Sequence, residues 1–165
     1  MAQTTVGDIR RVLEEAYPPH LAEKWDAVGL ICGDPEDEVG KVAFALDCTQ
    51  QVAEKAVEMG AQMLVVHHPL LLRGVTSVAA DTPKGKVIHT LLKGGVALFA
   101  AHTNADKARP GVNDKLAELV GIEPGRPIIP HALSDAEVTE TSLGLGRIGE
   151  LPEPMTLREF TQQVA

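Results

Sequence analysis

QMLVVHHP at residues 62–69 and VALFAAHTNAD at 96–106 are the same figure written twice: a short, wholly apolar run that breaks into metal-capable polar residues. A third run, KVAFALD at 41–47, precedes them and ends on an aspartate. Apolar runs of this length without alternation read as strands buried on both faces. Between and after them the apolar period changes to that of helices. Thr49 caps a helix that reaches about Met59 and stops at Gly60. A second covers roughly Lys84 to Lys93 and stops at Gly94-Gly95. A third runs from Val112 to Val120 and stops at Gly121. Strand and helix alternate, so the strands are expected to be parallel, with helices on both sides. The expected fold is α/β, a three-layer sandwich around a mostly parallel buried sheet.

Upstream, Thr5 and Asp8 have the spacing of a capping box, and Val6, Ile9, Leu13 and Ala16 recur at helical spacing until Pro18 and Pro19. WDAVGLICGDPEDEVG at 25–40, rich in glycine and acids, reads as a loop. Downstream the pattern thins. Pro127 to Pro130 is extended, His131 to Glu140 a polar loop, and Thr141 to Ile148 a candidate strand. Thr156 then caps LREFTQQVA. Residues 1–125 are read as an α/β metal-binding domain. Residues 126–165 are read as a linker and the start of a second α/β half that the chain leaves incomplete.

The 165 residues suit one domain or slightly more. The formal net charge of −8 repels phosphate backbones and anionic lipid, so nucleic-acid or membrane-surface binding is not expected. A small anionic substrate is compatible, because a bound metal reverses the local sign. No apolar run approaches the roughly 20 residues that span a bilayer. MAQTTVGDIRR has no signal-peptide core. Cys32 and Cys48 form no CxxC pair. One disulfide is conceivable, but two buried thiols in a reducing compartment is the preferred reading, and a cytoplasmic protein is expected.

In an open parallel sheet, ligands bind beyond the carboxyl ends of the strands. His67-His68 and the stretch His102 to Asp106 therefore share one edge. Adjacent histidines diverge as a strand ends, and two diverging imidazoles serve two neighbouring ions more easily than one. Imidazole and carboxylate suit zinc, iron or manganese. A lone histidine at a strand end is usually structural; the pair, reinforced by His102 and Asp106 after the next strand, reads as a metal site. His20, His89 and His131 lack that support and are read as surface or packing residues. Asp47 lines the same edge or caps the next helix. Trp25 is read as a hydrophobic anchor for the loop, with packing at an edge of the site as the other reading. Arg73, Lys84 and Arg109 are read as solvated surface, with substrate phosphate as the other reading. Gly144-Leu145-Gly146-Arg147 lacks the spacing of a dinucleotide loop and reads as a close-packed strand.

WDAVGL at 25–30, ALDCT at 45–49, VVHHPLLL at 65–72 and AHTNAD at 101–106, taken in that order and spacing, resemble the Nif-three-like family. GLGRIGELPEPMTLREF at 144–160 is similar to a later segment of it. The family's members are dinuclear-metal proteins known as GTP cyclohydrolase I type 2 homologues. The resemblance implies that His67, His68 and Asp106 are metal ligands with His102 lining the site. It also implies two similar α/β halves and a ring-shaped homohexamer. It implies, further, a C-terminal His and Glu four residues apart that complete the ligand set, which nothing in this sequence matches. Ala27 stands where the family usually has Asn.

Three functions follow as expectations. The first is a metal-dependent hydrolase acting on a nucleotide or related heterocycle. There two divalent ions about 3.5 to 4 Å apart activate water, and His102 serves as general acid or base. The second is a dinuclear phosphoesterase using the same residues. The third is a non-catalytic, metal-holding, ring-forming interaction protein.

Overall fold

The computed structural model describes residues 3–131 and 138–165 and divides into two compact units, Met1–Asn104 and Ala105–Ala165. The first unit opens with α1 (Val6–Ala16), where the Thr5–Asp8 capping box is formed: Thr5 Oγ1 accepts from Asp8 N at 3.2 Å and Asp8 Oδ2 accepts from Thr5 N at 3.0 Å. Then come β1 (Gly29–Cys32), β2 (Val42–Asp47), α2 (Gln50–Glu58), β3 (Met63–His68), α3 (Pro83–Lys93) and β4 (Ala97–Ala100). The caps of α2 are those the sequence indicates. Thr49 accepts from Val52 N and Gly60 takes a positive φ of 66° just after α2; Thr82, which sequence reasoning did not single out, caps α3 by accepting from Gly85 N.

The sheet order is β1-β4-β3-β2, with β2, β3 and β4 parallel and β1 antiparallel at one edge. This is the expected α/β class with a mostly parallel central sheet. One face carries Leu64, Val66, Leu98 and Ala100, packed against Ala53 and Ala56 of α2 and Val87 and Leu91 of α3. The opposite face of the central strands, Met63, Val65 and Phe99, is buried as well.

Two expectations are corrected. The stretch 25–40 is not all loop, because Gly29–Cys32 forms β1. Gly29 and Gly33, with φ of 104° and 114°, flank it. At Gly33 an added Cβ would stand 2.5 Å from that of Ala97, so only glycine lets the chain pass β4 this closely. The run KVAFAL is not buried on both faces either. β2 is an edge strand, and Phe44 and Leu46 on its outward face are 73% and 60% exposed. An apolar run shows strand propensity but not the strand's place in the sheet.

α4 (Thr103–Lys107) leads into the second unit, which contains α5 (Val112–Leu119), the short antiparallel pair β5 (Ile129–Pro130) and β6 (Gly144–Leu145), and α6 (Leu157–Val164) with its Thr156–Glu159 capping box. The strand anticipated over 141–148 thus contracts to two residues. Six residues of the anticipated loop, 132–137, lie outside the described residues. The organiser of this unit is Arg147. Its guanidinium grips Asp114 through two contacts of 2.5 and 3.0 Å and donates to the carbonyls of Gly144, Gly146 and Ala108. Arg147 is 2% and Asp114 9% exposed in the side chain, so this is an internal clamp with its donors matched. Arg109 is not solvated surface: it donates to Ser142 O and Gly125 O. No described helix is long and apolar enough to cross a membrane.

Candidate metal centre

β4 ends at Ala100, opposite Val66, while β3 runs on for two more residues, so the last residues of β3 and the first beyond β4 lie at one edge of the sheet. His67 follows Val66 in β3, and Ala101-His102 follows β4. His67 Nδ1 donates to Ala101 O at 2.9 Å. On the other side β2 pairs with β3 in a register that sets Asp47 against His68, and His68 Nδ1 meets Asp47 Oδ1 at 2.8 Å. His102 Nδ1 meets Asp26 Oδ1 at 2.9 Å. Each of these acceptors is a carbonyl or carboxylate oxygen, so each imidazole carries its proton on Nδ1 and presents its lone pair at Nε2. That is how histidines are held when they serve as metal ligands.

The three rings cluster tightly. Centroid separations are 5.1 Å for His67–His68, 5.1 Å for His67–His102 and 5.6 Å for His68–His102. One nitrogen from each lies within 4.8 Å of the others. Three imidazoles at this spacing suit a borderline divalent ion such as zinc or iron. Among the described residues the converging group contains none of His20, His89 and His131. Asp106 sits on α4, half-buried, its backbone carbonyl accepting from Asn113 Nδ2 at 2.9 Å. Among the described residues, the group whose ligand atoms converge is His67, His68 and His102.

Asp26 is the residue that sequence reasoning passed over. Its side chain has no exposed surface. It accepts from His102 Nδ1, from the Thr103 hydroxyl and backbone N–H, and from Ala27 N. Burial works to raise its pKa, yet those hydrogen bonds outweigh it and hold the carboxyl below its ordinary 3.8. Asp26 is therefore a buried carboxylate that fixes the tautomer and direction of His102. The sequence hints at it through an acid between Trp25 and a glycine-bearing strand, and through its place in WDAVGL, one of the motifs that carry the family resemblance. Asp47 resolves from two readings to one: as the last residue of β2 it lines the same sheet edge and orients His68, while Thr49 caps α2. Trp25, 59% exposed, stands edge-on to His102 with ring centroids 6.0 Å apart, which places it at the rim of the cluster. Cys32 and Cys48 are free thiols; burial, then the neighbouring Cys32, pushes the Cys48 thiol up to about 11.

The family model described as Duf34/NIF3 (NGG1p interacting factor 3) matches residues 4–165. The chain belongs to this family. Within it, the chain is 46% identical over 160 residues to a Streptomyces coelicolor protein named GTP cyclohydrolase 1 type 2 homolog, a match covering 97% of this chain and 55% of that protein. It is 55% identical over 117 residues to a Mycobacterium bovis protein of the same name, covering 71% of this chain and 30% of that protein. Among solved structures, a hypothetical protein from Staphylococcus aureus superposes with a TM-score of 0.85 at 31% identity, covering 99% of this chain and 64% of that one. The chain thus spans about half the length, or less, of these two curated relatives. The shared fold is that of the Duf34/NIF3 proteins, and the histidine cluster lies at the carboxyl edge of its sheet.

Proposed function

We propose that the chain contributes His67, His68, His102 and Asp106 to a dinuclear metal centre that hydrolyses a nucleotide or a related heterocycle. The observation that carries this reading is the anchoring of all three imidazoles through Nδ1, to Ala101 O, Asp47 and Asp26. Three such rings in one cluster are more than a packing accident requires. The name borne by the relatives, GTP cyclohydrolase 1 type 2 homolog, supports the substrate class.

Two divalent ions of zinc, iron or manganese would supply Lewis acidity and lower the pKa of a bound water. The chain's own residues do the rest. Asp26 keeps the proton of His102 on Nδ1, so that Nε2 faces the reaction as ligand or as proton acceptor. Asp47 does the same for His68 from a more exposed position. Trp25 covers one side of His102 and limits its contact with water. Homo-oligomeric assembly, with a hexamer as the expected form, belongs to the same reading. It is supported by the exposed Phe44 and Leu46 on the outer face of an edge strand. The two free thiols support a reducing, cytoplasmic setting.

The test is product analysis with metal-loaded protein and a nucleotide panel that includes GTP. Opening of the purine five-membered ring releases formate, whereas phosphoester cleavage releases inorganic phosphate. Formate release, abolished in His67→Ala, supports the proposal. Phosphate without formate supports a phosphoesterase, and neither product supports a non-catalytic role.

A further inference from the structure

A cleft of about 520 Å³ opens within the first unit, walled in part by residues that follow the ends of β2 and β3. Its place follows from the chain. Cys48, on its wall, directly follows Asp47, the partner of His68; Leu70, also on its wall, is two residues beyond His68. The far wall is the start of α3, with Pro83 and Val87. The cleft thus begins where β2 and β3 end, the edge at which parallel sheets take their ligands.

Its chemistry is specific. Leu70, Pro83, Val87 and the buried Cys48 make an apolar body of the size that small-molecule sites have. Gln50 also lines it, with an orphaned acceptor. Gln50 Nε2 donates to Glu54 Oε1 at 2.8 Å and to Thr90 Oγ1 at 2.9 Å, while the Thr90 hydroxyl donates to Lys86 O at 3.0 Å. Those contacts hold the amide nitrogen, and Gln50 Oε1 is left buried without a donor among the described residues. Buried acceptors are seldom left so; this one has no exposed surface, so a turn of the Gln50 amide toward the cleft is what would let an N–H or O–H of a ligand satisfy it. At the mouth stand the exposed Lys84 and Lys86 against the single acid Asp81. That is a local reversal of sign in a chain of net charge −8.

We propose that this cleft binds the ring of a phosphate-bearing heterocycle. The ring lies against Leu70, Pro83 and Val87, a ring N–H reaches Gln50 Oε1, and the phosphate is held by Lys84 and Lys86. The cleft's role as the substrate site of the metal centre rests on the function proposed above; the binding itself does not.

The experiment is calorimetric titration of the 165-residue chain with guanosine 5′-monophosphate and with guanosine, beside elemental analysis of the same samples. The expected results are three. The double variant Lys84→Ala/Lys86→Ala binds the monophosphate at least ten-fold more weakly and guanosine unchanged. Gln50→Leu weakens both. His67→Ala loses metal yet still binds the monophosphate. The lysines are exposed, so their removal leaves the fold intact. No saturable binding of the monophosphate by the unsubstituted chain overturns the proposal. So does binding that survives the lysine and Gln50 changes but disappears in His67→Ala, which would put the ligand on the histidines instead. Binding as expected in a chain that takes up no metal supports the cleft and removes only the metal centre.

Discussion

Asp26 and His102, 76 positions apart in the chain, meet through a 2.9 Å hydrogen bond between a carboxylate with no exposed surface and an imidazole Nδ1 that is four-fifths buried with its ring. The bond makes His102 a member of the cluster on the same terms as His67 and His68. Replacing Asp26 with Asn keeps the shape but removes the charge and leaves the tautomer undefined. Outer carboxylates of this kind change metal affinity by about 10- to 100-fold. Asp26→Asn is expected to weaken metal binding within that range, measured by competition with a chromogenic chelator. Asp47→Asn, at a 55% exposed carboxylate, is expected to have a smaller effect.

The Arg147–Asp114 clamp is the corresponding feature of the second unit. Removing one partner of a buried pair leaves the other charge uncompensated and typically costs about 3–5 kcal/mol. Arg147→Ala is expected to lower stability by that order in urea denaturation. Arg147→Lys is expected to recover only part of it, because an ammonium cannot replace the two-pronged contact with Asp114 or reach all three carbonyls.

Acid should act through the same carboxylate. Burial tends to raise the Asp114 pKa, but the hydrogen bonds from Arg147 and Gly111 N and the charges of Arg147 and Arg109 hold it below its ordinary 3.8. The unfolded chain therefore takes up this proton first as the pH falls. The contribution is complete above about pH 4 and is lost as the pH drops through the lower folded value. Denaturation midpoints measured from pH 7 to pH 3 should fall on the acid side of pH 4, and Asp114→Asn should flatten that limb. Asp26 acts with the same sign.

Phe44→Ser and Leu46→Ser test the open face of β2. Both side chains are mostly exposed, so each change is expected to alter monomer stability by about 0.5 kcal/mol or less. If the face is used in assembly, light scattering will show a smaller particle for the double variant than for the unsubstituted chain. Equal masses would assign the face no part in assembly.

Much of this was legible in the sequence. The runs at 62–66 and 96–100 are strands of the sheet interior because aliphatic residues so concentrated are buried there, and the run at 41–46 forms a strand by the same propensity although it lies at the sheet's edge. The threonines at 5, 49 and 156 cap helices because a hydroxyl at that position meets an orphan N–H. The histidines after β3 and β4 converge because parallel strands deliver their ends to one edge. What escaped was set by tertiary context. GLIC at 29–32 is too short and too glycine-flanked to stand out from its acidic loop. The edge position of β2 depends on which strands pair, which an apolar run does not encode. The anchors Asp26 and Ala101 O act across the fold, one of them through a backbone atom that carries no sequence signature. Arg109 reads as a surface cation until its acceptors, Ser142 O and Gly125 O, are in view.

The most direct test of the central claim is elemental analysis of purified, untagged protein beside His67→Ala and Asp106→Ala. The account predicts first-row metal bound to the unsubstituted chain, up to two ions per chain, and lost in both variants. Protein that takes up no metal after incubation with zinc, iron or manganese would contradict it, and the histidine cluster would then need another explanation.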